Sequence, residues 1–219
     1  MKAEIKHEDL NTWADYIIDH SLGGIEKEDV VMIKGEHITW PLMALLQDKI
    51  FAAGAIADVN LVAPDNNRGQ VYGASICKHG TIEQIHRTPA WHKERYESMT
   101  KYIEILGAED PSLFANLPDK AASELAKADN PFRKIRFVKP WVLTLFPTQA
   151  FADMEGMTLE EYAGIVVSAS TTSPKVLEEL EEPLAQLMEK ASLIRIETKD
   201  PKRDKILTME MDIKDRYVT

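Results

Sequence analysis

The sequence predicts an α/β protein, a three-layer α/β/α sandwich around a largely parallel central sheet. Three observations carry this reading. Short apolar runs at 30–33, 55–63 and 141–146 have the length of buried strands. Segments with helical periodicity alternate with them. No repeat or low-complexity linker interrupts the alternation, which favours parallel strands with helices on both faces.

Leu10, Trp13, Ala14, Ile17 and Ile18 recur at i, i+3, i+4 spacing and predict the first helix, stopped by Gly23-Gly24. A strand at 30–33 follows. A second helix begins near Thr39-Trp40-Pro41, where Pro suits the first turn. It carries Leu42, Leu45, Leu46 and Ala53, and Gly54 is placed to close it. A second strand at 55–63 ends in the turn cluster 64–69, and 71–77 reads as a third strand. Thr88-Pro89 predicts the start of a long helix reaching Leu106-Gly107, with Tyr96, Met99, Ile103 and Leu106 on one face. Asp119 is expected to cap an Ala-rich helix containing Leu125.

The stretch 140–169 carries the densest signals. An apolar strand at 141–146 breaks at Pro147-Thr148, a short helix follows at 149–155, and Gly156 ends it. Thr158 and Glu161 have the spacing of a capping box. Beyond it, Ser173-Pro174 opens a helix with Leu177, Leu180, Leu184, Leu187 and Met188 expected inward, and Pro183 is expected to kink or split it. Two strands close the sequence, at 193–197 and 205–213. In the second, Leu207, Met209, Met211 and Ile213 alternate with polar residues, so one face is wet. The polar stretch 199–205 reads as a hinge.

The chain has 219 residues, a net charge of −10 and one cysteine, Cys77. That charge repels phosphate backbones, so nucleic acid is not an expected partner. The lone cysteine allows no internal disulfide and suits a reducing compartment. The charged first residues lack a signal core, and no apolar run approaches a membrane span. A cytoplasmic protein is the expectation, with no membrane partner.

No Gly-rich phosphate loop and no Gly-x-Ser-x-Gly elbow is present. Cys77, His79, His86 and His92 have metal-ligand chemistry, but the six-residue step from His86 to His92 opposes a shared helix face. Structural or surface roles are the better account of them. Glu160-Glu161 and Glu178, Glu179, Glu181 and Glu182 read as solvated helix faces rather than catalytic carboxylates. Thr148 and Gln149 lie where a strand's carboxyl end meets a helix start, where ligands collect in open α/β sheets. Asp65 ends another strand. These three are the candidate binding residues of a strand-end cavity wall, although helix capping accounts for Thr148 and an ordinary turn for Asp65.

The 140–169 block, above all Pro147-Thr148, Ala152 and Gly156-Met157-Thr158, resembles the thermophilic metallopeptidase family of the aminopeptidase T and aminopeptidase S type. The order of the N-terminal helix, 30–35, and Ala52-Ala53-Gly54-Ala55 is similar to that family as well. The resemblance implies a Rossmann-like fold and a parent enzyme that removes N-terminal residues from peptides. It also implies two divalent ions, zinc, cobalt or similar, and a homodimer. It places the family's metal ligands in a C-terminal half, so no catalytic or metal residue is expected here. On that reading residues 1–198 form an N-terminal domain, and 199–219 lead into a catalytic domain absent from this chain. A stand-alone binding or interaction module is the alternative.

Overall fold

A computed structural model describes residues 4–63, 73–200, 205–214 and 216, with backbone alone at Phe114. The chain divides into two compact units, Met1–Thr171 and Thr172–Thr219.

The first unit is built on four strands, β1 (Val30–Glu36), β2 (Ile56–Val62), β3 (Lys101–Leu106) and β4 (Trp141–Leu145). They lie in the order β2-β1-β3-β4, and every pairing is parallel. Strand alternation sends neighbouring side chains to opposite faces. Val31 and Ile33 of β1, with Ile103 and Ile105 of β3, meet helices α1 (His7–Asp15) and α2 (Trp40–Ala52) through Trp13, Leu42, Leu46 and Ile50. Met32 and Tyr102 point the other way, into Tyr96, Met99 and Phe132 of the layer holding α5 (Ala90–Ser98) and α6 (Asp119–Phe137). Helices therefore flank the sheet on both faces, as expected. Two short helices, α3 (Ala74–His79) and α4 (Ile82–His86), pack on α6 through Cys77, Ile85, Ala121 and Leu125.

Asp29 ties the amino ends of β1 and β3 together. Its carboxylate accepts from Thr100 Oγ1 at 2.6 Å and from the Glu26 amide at 2.8 Å, and Lys101 Nζ lies 3.1 Å away. Burial opposes the charge, yet these donors prevail and hold the carboxyl below its usual range.

The 140–169 block forms as predicted. β4 runs into α7 (Gln149–Glu155), Gly156 closes it at φ 68°, and α8 (Leu159–Ser170) begins with the reciprocal Thr158–Glu161 capping box.

Three elements differ from expectation. The expected third strand at 71–77 falls partly outside the described residues, and its remainder opens α3. The long helix expected from Thr88 to Leu106 ends at Ser98, and residues 101–106 are β3, a central strand. Tertiary pairing overrides a spacing that suits either structure: Ile103 and Ile105 are fully buried beside β1. Asp119 is the first residue of α6 rather than its cap, and Pro131 lies inside that helix.

The second unit holds α9 (Pro174–Lys190) and the antiparallel strands β5 (Leu193–Asp200) and β6 (Lys205–Asp212). α9 is a single helix despite Pro183, and no residue of it is buried; Leu180, Leu184 and Leu187, expected inward, are all more than half exposed. Of the stretch read as a hinge, Lys199 and Asp200 pair with Ile206 and Lys205 across β5 and β6, and residues 201–204 lie outside the described residues. The register puts Ile194, Ile196, Leu207, Met209 and Met211 on one face and Arg195, Glu197, Glu210 and Asp212 on the other.

Candidate functional site

The strand order reverses between β1 and β3: the chain passes from β1 to β2 on one side and then returns to add β3 and β4 on the other. Ligands of open α/β sheets bind at such a point, outside the carboxyl ends of the strands. A cleft of about 350 Å³ lies there. Lys34, Gly35 and Glu36 of β1, Val62 of β2, and Glu104 through Ala108 form its floor and walls. Pro111 and the α7 side chains Phe151 and Met154 line it as well.

Strand alternation explains why its floor is charged. Lys34 and Glu36 continue the face of Met32, and Glu104 continues that of Tyr102. Lys34 and Glu104 are paired in register across β1 and β3. Both are buried, with Lys34 Nζ 3.0 Å from Glu104 Oε1. Arg136 of α6 donates to Glu104 Oε2 at 2.8 Å and stacks over the Tyr102 ring at 4.9 Å. Burial, followed by the Glu104 charge, holds the Tyr102 phenol well up. Glu36 is 1% exposed, and its Oε2 accepts from the Glu109 amide at 3.3 Å.

Asp129 of α6 lies close to this group, and burial pushes its carboxyl up to about 6 against the pull of Lys34 and Arg136. Thr39 holds the backbone of the cleft wall. It is fully buried, donates to Glu36 O at 2.7 Å, and sits where a Cβ on either Gly35 or Gly107 would collide with it.

A sequence model of the thermophilic metalloprotease family (M29) matches residues 6–199. The chain belongs to this family. Among solved structures, wild-type AmpT from Thermus thermophilus is similar at a TM-score of 0.64 and 17% identity. The match covers 88% of this chain and 52% of AmpT, so the chain spans about half the length of that relative. At such identity the likeness speaks to the fold. Comparison with curated proteins gives no match.

Family M29 is named for metalloproteases, so the donor set bears on the site. Among the described residues no three His, Cys, Asp or Glu side chains converge as metal ligands would. The glutamates of the cleft are engaged with cations and amides, and the residues present do not fit a metal pair. Cys77, His79, His86 and His92 do not come together. Cys77 is buried under α6, His79 is exposed, and His86 Nε2 meets Glu124 at 2.7 Å.

His92 is enclosed by Phe132 and Tyr96, at centroid distances of 4.6 and 5.0 Å, with Trp91 at 5.7 Å. Its Nε2 has no hydrogen-bond partner among the described residues. Burial first, then Arg95 and Lys34, lower its pKa to about 4. Unfolded, this imidazole takes a proton below about 6.5; folded, only below about 4. Between those values the unfolded chain binds the extra proton. Stability is therefore complete above 6.5 and lost as pH falls toward 4, by up to about 3 kcal/mol. Asp129 works in the opposite sense, its contribution fading as pH rises through about 6. We expect His92→Phe to flatten the loss between pH 7 and pH 4.5 relative to the natural chain in urea unfolding. Equal losses in the two proteins would contradict the assignment.

Of the predicted binding residues, Thr148 is buried and its Oγ1 accepts from the Phe151 amide at 3.2 Å, capping α7. Gln149 donates to Asp153 one helical turn on, at 2.8 Å. Neither is among the residues lining the cleft; α7 contributes Phe151 and Met154 instead. Asp65 lies outside the described residues. The residues that do line the floor, Lys34, Glu36 and Glu104, escape the sequence reading. Their signal is a charge at every second position of an otherwise apolar run: Met32-Ile33-Lys34-Gly35-Glu36 and Tyr102-Ile103-Glu104.

Proposed function

We propose that this chain forms the non-catalytic N-terminal part of a metal-dependent aminopeptidase that hydrolyses N-terminal residues from peptides. The observation that carries the reading is the M29 match over residues 6–199, combined with a donor set that does not suit metal ions. In this reading the ions reside on a portion of the enzyme not represented in these 219 residues. The first unit serves as scaffold and cavity wall, and Thr148 and Gln149 act indirectly by fixing α7, whose Phe151 and Met154 face the cleft. The second unit leads toward the catalytic portion, and the parent is a homodimer. Among the described residues no helix is long and apolar enough to cross a membrane.

Leucine 4-nitroanilide incubated with the 219-residue chain and added zinc or cobalt tests the division of labour. The expected result is no metal-dependent release above the blank. Sustained turnover by this chain alone would place chemistry here and end the proposal.

One observation favours a second reading, a stand-alone interaction module. A two-stranded ribbon is marginal by itself in water, and β5–β6 presents an apolar face in which Ile196, Leu207, Met209 and Met211 are exposed. A reading frame that continues past Thr219 into a Glu- and His-containing half supports the aminopeptidase reading. A stop codon there supports the module.

A further inference from the structure

We propose that the free edge of β4 is a docking site for an extended acidic segment of another protein, which adds to the sheet as a fifth strand. The inference stands on the first unit alone and is independent of the peptidase reading. β4 ends the sheet and, among the described residues, pairs with β3 only. Two hydrogen bonds fix the parity of its main chain: the Tyr102 amide donates to Pro140 O, and the Phe146 amide donates to Leu106 O. In a parallel ladder residues 140, 142, 144 and 146 therefore face β3. The amides and carbonyls of Trp141, Leu143 and Leu145 point to the open side. No charge and no proline interrupts Trp141–Leu145, whereas β2 at the opposite edge carries Asp58 and Asn60. An apolar edge strand without such interruption is a template for strand addition.

Side chains beside the edge set the partner's character. Trp141 and Leu143 share one face of β4, and both are exposed. Phe137, exposed as well, meets Trp141 at a centroid distance of 5.3 Å and lies under the guanidinium groups of Arg133 and Arg136, at 5.6 and 4.8 Å. Residues 130–152 hold four cations and no acid in a chain of net charge −10, so this surface opposes the sign of the whole. Arg136 is bound to Glu104. Lys139 donates to the carbonyls of Tyr96, Glu97 and Met99, neutral acceptors that leave its charge in place. Arg133 and Lys134 are exposed, and among the described residues neither forms an ion pair; Asp129 acts on Arg133 from beyond ion-pair distance. An added strand lays alternate apolar side chains against Trp141 and Leu143 and turns its carboxylates to these cations.

The probe is a capped heptapeptide, Glu-Val-Glu-Val-Glu-Val-Glu, with its Lys-for-Glu counterpart as control. Each is titrated into the 219-residue chain at pH 7.5 and followed by amide chemical shifts and hydrogen exchange. The acidic peptide is expected to bind saturably and to slow exchange at Trp141, Leu143 and Leu145, leaving Val142 and Thr144, already bonded to β3, unchanged. It should bind at least about fivefold tighter than the basic peptide at low salt, against the pull of the whole chain's charge, and that advantage should shrink at about 0.5 M salt. Arg133→Gln/Lys134→Gln should abolish the advantage. Leu143→Pro removes an outward donor and no bond to β3, so Thr144 should keep its slow exchange while peptide binding is lost. No saturable binding, equal slowing along 141–146, or tighter binding of the basic peptide would overturn the site. So would an unchanged advantage in the double variant, unchanged binding in folded Leu143→Pro, or self-association that closes the edge without peptide.

Discussion

Glu104→Ala is expected to destabilise the protein by about 3–5 kcal/mol, the largest loss of any single charge removal in the sheet. Glu104 is 6% exposed and is the shared acceptor of Lys34, at 3.0 Å, and Arg136, at 2.8 Å. Its removal strands two buried cations with one fewer anion between them. Their desolvation is then compensated less, which outweighs the modest gain of burying a methyl group instead of a carboxylate. Lys34→Met should cost less, because Glu104 keeps Arg136 and the new side chain fills the same apolar face as Met32. Urea unfolding at pH 7 measures both. A Glu104→Ala loss below about 1 kcal/mol would mean that water reaches the pair, which an exposed pair's small worth would then explain.

Gly107→Ala is the second large effect, expected at about 2–3 kcal/mol. A Cβ there would run into Thr39 Cγ2 and lie 3.0 Å from Ile38 Cγ2. Thr39 is fully buried and its hydroxyl is committed to Glu36 O, so it has no free rotamer to offer. Thr39→Ser removes the methyl that collides while keeping the hydroxyl. The double variant should therefore recover more than half of the loss, a coupling that thermal unfolding of the four-member cycle reads directly. Purely additive effects would place the strain elsewhere.

Local chemistry made the 140–169 block legible. Thr148, Gly156, Thr158 and Glu161 each act within one helical turn of their own position, so their roles could be read without knowing any neighbour. The same holds for Gly54, which closes α2 at φ 82°. β3 was not legible for the opposite reason. Tyr96, Met99, Ile103 and Leu106 fall at helical spacing, and only the partner strands β1 and β4 decide that 101–106 is extended. The cleft floor was hidden similarly: Lys34 and Glu104 are 70 residues apart, and their pairing is a property of register. Thr148 and Gln149 start the same helix that brings Phe151 and Met154 to the cleft, and their own polar groups are used within that helix, a consequence of helix capping that spacing alone does not separate from a ligand role.

The β2-β1-β3-β4 order also governs how the molecule can come into being. As the polypeptide leaves the ribosome, β1 can zip to β2 across a short excursion, Val30 meeting Ile56. Its other edge, however, stays bare until Lys101 arrives beside Val31, and β4 follows only after the whole of α6 has been made. During that interval the half-built sheet shows Met32 to its surroundings, because Tyr96, Met99 and Phe132, which cover it, are not yet made. Nascent chains halted near residue 95 should accordingly be the species that chaperones hold and that clump when they are absent.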